Sequence, residues 1–421
     1  MVNGYKKTEI GAVPTEWDVL PFGDVFRTLS NNTLSRNQLN YDSGSIKNIH
    51  YGDVLILFPE VLDCSRDDIP YVNNDVSVSG QTLQDGDIII SDTAEDETVG
   101  KAVEVSNRGN TNIVAGLHTI PCRVKNGKFA TGWLGYFINS HYYHDQLIPY
   151  IHGTKVSSIA RESLADTYIV VPPYKEQEKI VTSLSDVGGM ISESEKLIEK
   201  YQAMKQGCLQ HMFPRKGQTE PEMRLPGFSG AWEQRKLGDE CNQLTTVINP
   251  QNEPNRLFAE YSMPAYDLNK NPDYVLGSTM NSARKVVDRP SLLINKLNVR
   301  KQRIWCIEDP EKNSVCSAEF IPVCSESIDL RFLSYVVSGN AFTSYLEDCS
   351  SGSSNSQKRV TPDTIMNAEI CIPSRAEQQK IGAYFKDLDH LIALHQRKCE
   401  KYKMIKQGMM EDLLTGKVRL K

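Results

Sequence analysis

Two stretches of the chain place apolar side chains at alternating steps of four and three. In the first they are Ile180, Leu184, Val187, Ile191, Ile198 and Tyr201, with Ser194, Lys205, Cys208 and Met212 in the same register. In the second they are Ile381, Phe385, Leu388, Ile392 and Tyr402, with His395, Cys399, Lys406, Met409 and Leu413 in register. That alternation is the a/d seam of a coiled coil, and it predicts two long helices packed on another helix. Pro172-Pro173 and Pro373 end the preceding strands and open each helix, while Gly207 and Gly408 weaken the last turns. Shorter apolar runs predict strands at Val76–Val78, Asp87–Ile90, Tyr168–Val171, Leu292–Ile294 and Glu369–Ile372. Gly132–Ile138 and Arg331–Val337 read as matching buried helices. The Pro- and Gly-bearing segment 214–227 reads as a loop.

The two halves are copies of one unit. Glu176-Gln177-Glu178-Lys179-Ile180 returns as Glu377-Gln378-Gln379-Lys380-Ile381 at an offset of 201. Lys205-Gln206-Gly207 returns as Lys406-Gln407-Gly408 at the same offset, whereas Trp17-x5-Gly23-Asp24 returns at 215 as Trp232, Gly238 and Asp239. The frame is therefore duplicated and the interiors have diverged. The boundaries that follow are 1–171, a helix over 172–213, a linker over 214–227, a second domain over 228–371, and a helix and tail over 372–421.

The chain has 421 residues, 47 basic and 53 acidic, a net charge of −6 that taken alone argues against a polyanionic partner. The distribution is uneven: residues 1–171 carry 13 basic and 21 acidic groups, and residues 372–421 carry 11 and 6. No apolar run is long enough to span a bilayer, and the first residues lack a signal-peptide core, so a cytoplasmic location with no membrane partner is expected. Ten cysteines show no C-x2–4-C spacing. Cys306, Cys316 and Cys324 are the nearest to a metal set, and reduced buried thiols are the expectation.

Catalytic motifs are missing. Val171-Pro172-Pro173-Tyr174 has the Pro-Pro-Tyr of an adenine amino-methyltransferase but Val where a polar acceptor is required, and Asn271-Pro272-Asp273-Tyr274 breaks the second proline. No glycine-rich cofactor loop accompanies either. A nuclease built on Asp92, Glu95, Asp96, Glu97 and Lys101 is the one local alternative, and a polar surface loop explains the same run. The candidates for nucleic-acid contact are Asn295, Lys296, Arg300, Lys301 and Arg303, which follow a strand. Beside them stand Lys155 and Ser157, Lys358 and Arg359 at matching places in the repeat, and Thr93 with Lys101. Arg and Lys pair with phosphates, Arg forks onto guanine, and Asn pairs with adenine.

The duplicated P-x-x-x-E-Q-x-K-I helix starts, the Lys-Gln-Gly near each helix end, Pro226-Gly227-Phe228 ahead of Trp232–Gly238, and the closing Leu413-Leu414-Thr415-Gly416-Lys417 resemble the specificity subunits of type I restriction–modification systems. The resemblance runs from Trp17 to Lys421. It implies an α+β fold with two pseudo-symmetric target-recognition domains, each followed by a long helix, the two helices packing as an antiparallel coiled coil. It further implies a non-catalytic subunit that reads a bipartite, asymmetric site in double-stranded DNA for adenine methylation or cleavage of foreign DNA. Its implied partners are two methyltransferase subunits and the restriction (motor and nuclease) subunits. S-adenosylmethionine, ATP and Mg2+ would then sit on those partners and no cofactor on this chain. A helix of some 38 residues would span roughly 55 Å at 1.5 Å per residue, enough to set the spacing of two half-sites about one DNA turn apart.

Overall fold

A computed structural model describes residues 4–65, 68–153, 155–352 and 357–421. The chain divides into two compact units, Met1–Glu193 with Lys398–Lys421, and Ser194–Arg397. The division runs through both long helices instead of falling at the linker, because the far half of each helix packs on the domain that did not precede it.

In the first unit, strands β1 (Phe26–Thr28), β2 (Ile46–Ile49), β3 (Val61–Asp63), β4 (Ile88–Ser91), β5 (Ala102–Ser106), β6 (Asn112–Ala115) and β7 (Thr119–Val124) build two sheets. One has the order β1-β7-β4-β5-β3; the other pairs β6 with β2 in parallel and adds two short strands. β4 and β5 are buried along their whole length and carry near-continuous apolar runs, as strands covered on both faces must. Helix α1 (Tyr51–Ile56) follows β2, and α2 (Trp133–Ile138) is buried at every residue. Helix α3 begins here and covers Tyr174–His211.

The second unit repeats this plan. Helix α4 (Met263–Leu268) stands where α1 does, α5 (Leu330–Val337) where α2 does, and α6 covers Arg375–Leu413. Strands β8 (Asn242–Gln243), β9 (Leu257–Tyr261), β10 (Ser291–Asn295), β11 (Ile304–Ile307), β12 (Ser314–Cys316) and β13 (Phe320–Cys324) give one sheet in the order β8-β13-β10-β11. The other again contains a parallel pair, β9 with β12. The registers coincide: Ile90 faces Ile120 and Ala102 in the first unit, and Ile294 faces Ile321 and Ile304 in the second. All the expected strands form except Val76–Val78, which is irregular chain with half-exposed valines and no partner strand.

The expected seam is the covered face of both helices. Ile180, Leu184, Ile381, Phe385 and Leu388 are buried, and Val187, Ile191, Ile198, Tyr201, Ile392 and Tyr402 are half-buried. Within the second unit Tyr201 stacks on His395 at 5.6 Å, Lys205 pairs with Asp389, and Cys208 meets Tyr384. Residue numbers rise on one helix as they fall on the other, so the packing is antiparallel. Within the first unit Leu413 and Leu414 enter one core with Ile180, Leu184, Trp17 and Trp133. Both helices run through Gly207 and Gly408, since seam contacts outweigh a propensity penalty of about 1 kcal/mol.

Each helix start is held in the same way. Gln177 donates to Pro172 O and accepts from the Ala130 N–H, and Gln378 donates to Pro373 O and accepts from the Asp329 N–H. The neighbouring glutamate is gripped by an arginine from the segment after the other helix. Arg419 donates to both oxygens of Glu176 at 2.7 and 2.8 Å, and Arg224 donates to both of Glu377 at 2.7 Å. Glu176 has an additional donor, Trp17 Nε1 at 3.0 Å. Burial alone would push the Glu176 carboxyl up, but Arg419 and Trp17 outweigh it and hold it below the ordinary range. The Lys-Gln-Gly lysines are also equivalent: Lys406 lies 5.4 Å over the Tyr136 ring and Lys205 5.7 Å over that of Tyr335.

Candidate nucleic-acid interface

The basic run after β10 folds into a tight turn. Asn295 is buried at the strand end, where its side chain bonds Leu297 N and Leu297 O and shapes the bend. Asn298 and Gln302, both at positive φ, bracket a short helical turn over Val299–Lys301. Arg300 and Lys301 are both exposed, and Arg300 pairs with Glu347 at 2.8 Å. Arg303 is not the solvent-facing phosphate contact that its run suggests. It is 7 % exposed and forks onto Asp267 at 2.7 and 2.6 Å, and that hydrogen-bonded carboxylate holds the guanidinium above its usual range.

Lys101 occupies the equivalent place in the first unit. It precedes β5 as Arg303 precedes β11, and its ammonium donates to Leu55 O near the end of α1, at 2.8 Å. Burial lowers its pKa. In both units, then, the cation ahead of this strand anchors the helix after β2 or β9. The positions match because Ala102 pairs with Ile90 as Ile304 pairs with Ile294.

The remaining candidates gather at one corner of each unit, where the ends of three strands meet. In the first unit Thr93 pairs across to Ser158, and Ala94 to Ser157. The Thr93 hydroxyl donates to Asp92 Oδ1 at 2.7 Å, and His118 Nδ1 lies 3.2 Å from that same oxygen. Tyr51 stands edge-on to the His118 ring at 5.2 Å. Lys155 is exposed beside this corner; residue 154, within the same predicted loop, lies outside the described residues. In the second unit Arg359 pairs with Leu297 and donates to Glu319 at 2.9 and 3.3 Å. Lys296 and Lys358 are half-buried beside it, and residues 353–356 of that loop lie outside the described residues. Sequence reasoning took Asp92 only as a possible nuclease acid and missed His118, Tyr51 and Glu319. No identity between the halves marks these residues, and only the sheet register brings them together.

Among the described residues no three His, Cys, Asp or Glu side chains cluster as metal ligands would, and Asp92 stands with Thr93 and His118 and not with Glu95–Glu97. Burial pushes the Cys306 and Cys316 thiols up to about 12, so neither is a ready thiolate. No helix among the described residues is long and apolar enough to cross a membrane.

Comparison with known proteins bears on this geometry. The family model described as type I restriction modification DNA specificity domain matches residues 14–201 and 307–403, one stretch in each half. A putative type I restriction enzyme MjaX specificity subunit from Methanocaldococcus jannaschii is 26 % identical over 441 residues, covering 99 % of this chain and 97 % of its own. The MjaVIII specificity subunit of the same organism is 26 % identical over 293 residues, covering 64 % of this chain and 66 % of its own. Among solved structures, the type I restriction–modification S subunit from M. genitalium shares the fold with a TM-score of 0.59 at 12 % identity, over 94 % of this chain and 96 % of that one. A chain from a study of assembly and conformational transition of the type I system gives 0.51 at 16 % identity, over 96 % and 99 %.

Proposed function

The chain belongs to the type I restriction modification DNA specificity family, and from that premise we propose that it reads a bipartite, asymmetric site in double-stranded DNA, one half-site per unit. The observation that carries this reading is the duplication of one sheet register, one helix start and one antiparallel helix contact around different exposed side chains. Two like frames with unlike surfaces suit two unlike half-sites, as a symmetric dimer suits a palindrome.

The shared parts of the frame serve what is common to both units. Two identical methyltransferase subunits need equivalent surfaces, and the repeated helices supply them; restriction subunits join that core. The chain is non-catalytic in this reading, and S-adenosylmethionine, ATP and Mg2+ belong to the partners, all acting in the cytoplasm. The test is methyl transfer from labelled S-adenosylmethionine to DNA, by the purified chain alone and with its methyltransferase subunit. Transfer is expected only from the complex, at adenines of one split motif. Transfer by the chain alone would overturn the reading.

A further inference from the structure

The corner described above has the same backbone in both units, hydrogen bond for hydrogen bond. Asp92 N donates to His118 O at 3.1 Å, as Lys296 N donates to Glu319 O at 3.0 Å. Ile159 N donates to Asp92 O at 2.9 Å, as Val360 N donates to Lys296 O at 3.0 Å. His152 and Ser158 exchange bonds of 3.0 and 2.8 Å, as Ser351 and Arg359 do at 3.0 and 2.8 Å. Gly153 and Gly352 follow at positive φ, each so close to backbone ahead of it that a Cβ would meet Val156 O or Lys358 Cα. Position 92 therefore equals 296, 118 equals 319, and 158 equals 359.

The side chains on this common backbone are of opposite chemistry. Asp, His and Ser in the first unit stand where Lys, Glu and Arg stand in the second. In each unit an outer cation or imidazole is held by an acid behind it. His118 is 46 % exposed over Asp92 at 28 %, and Arg359 is 56 % exposed over Glu319 at 24 %. Fixing an arginine side chain costs rotamer entropy that an exposed ion pair returns only in part. Stability does not account for such an arrangement. Holding a polar fork ready for a ligand does, because the ordering is done before binding.

We propose that this corner is the base-reading element of each unit, an assignment that rests on the DNA-specificity reading above. Arg359 engages Glu319 through Nε and Nη2, which leaves the Nη1/Nη2 end of the guanidinium as a second fork. That fork fits O6 and N7 of a guanine. Asp92 uses Oδ1 for Thr93 and His118, and Oδ2 remains as an acceptor for the exocyclic amine of cytosine or adenine. One half-site thus carries a guanine read by Arg359, and the other an amino-bearing base read by Asp92.

The test uses the full chain in complex with its methyltransferase subunit, with the methylated motif read by sequencing DNA from a randomised library. R359A and R359K are each expected to relax a single guanine position in one half-site, by ~10- to 100-fold in preference, and to leave the other half-site unchanged. E319Q, which loosens the fork without removing it, should weaken preference at that same position. D92N should alter only the opposite half-site. A motif that stays the same in R359K, or methylation that falls uniformly with the motif intact, would make Arg359 a phosphate or structural residue and overturn the assignment. Changes in both half-sites from one substitution would overturn it as well. A wild-type complex with no defined bipartite motif would fail the underlying reading itself, and the assignment with it.

Discussion

Removal of Arg224 leaves the Glu377 carboxylate, 1 % exposed in the first turn of a 39-residue helix, without its bidentate partner. Breaking a buried pair from one side costs about 3–5 kcal/mol. The helix N-terminus and the 18 % exposure of Arg224 lower that figure, so R224A should destabilise the second unit by about 2–4 kcal/mol. The equivalent change, R419A, should cost the first unit less. Glu176 retains Trp17 Nε1 at 3.0 Å and the Leu420 N–H at 3.3 Å, whereas the corresponding indole N–H, on Trp232, is buried without a partner. A hydrogen bond to a charged group is worth about 1.5–3 kcal/mol, so a difference of at least ~1 kcal/mol is expected. Of the four tryptophans, Trp17 and Trp133 lie in the first unit and Trp232 and Trp305 in the second. Urea unfolding of chains carrying only one pair reports each unit separately. A double-mutant cycle with E377Q should then give a coupling energy above ~1.5 kcal/mol. Coupling below ~0.5 kcal/mol, or equal costs for R224A and R419A, would refute the argument that these clamps hold the helix starts.

Burial raises Glu104 to about 7, although the Gly132 and Gly135 N–H groups donate to it at 2.6 and 2.9 Å and oppose the shift. A raised acid contributes stability that is complete below its unfolded pKa near 4.5 and is lost as pH rises through about 7. The first unit should therefore lose up to ~3 kcal/mol over that window, and E104Q should flatten the slope; equal slopes in wild type and variant would count against it. R303A removes a buried guanidinium and frees Asp267 of α4 from its fork, so melting of the second unit should fall by several degrees while R300A leaves it within ~1 °C. Equal shifts would mean that both arginines are surface residues. Lengthening both long helices by one heptad should change the spacer between half-sites and neither half-site, as read from the methylated motif; an unchanged spacer removes the ruler idea.

The seam was legible because burial imposes a period on Ile180–Met212 and Ile381–Leu413 that survives divergence. The Glu-Gln pairs were legible as a repeat but not as a mechanism. Their partners Arg224 and Arg419 are 195 apart while the helix starts are 201 apart, so no single offset aligns both. Basic residues were over-read as contacts. Arg303 and Lys101 are cations whose strand position turns them inward onto a helix, which charge along a sequence does not reveal. At the corner, Lys155 with Ser157 and Lys358 with Arg359 were legible as matching loop positions, but the Asp92–His118 and Glu319–Arg359 pairs were not: the backbone is shared and the chemistry is reversed. Self-comparison scores the second and cannot see the first.

Each unit is proposed to read its own half of a split site. Exchange of residues 228–371 for the equivalent segment of another family member, followed by sequencing of the methylated DNA, decides it. One half-site is expected to change while the other half-site stays as it was. A motif altered in both halves, or in neither, would contradict it.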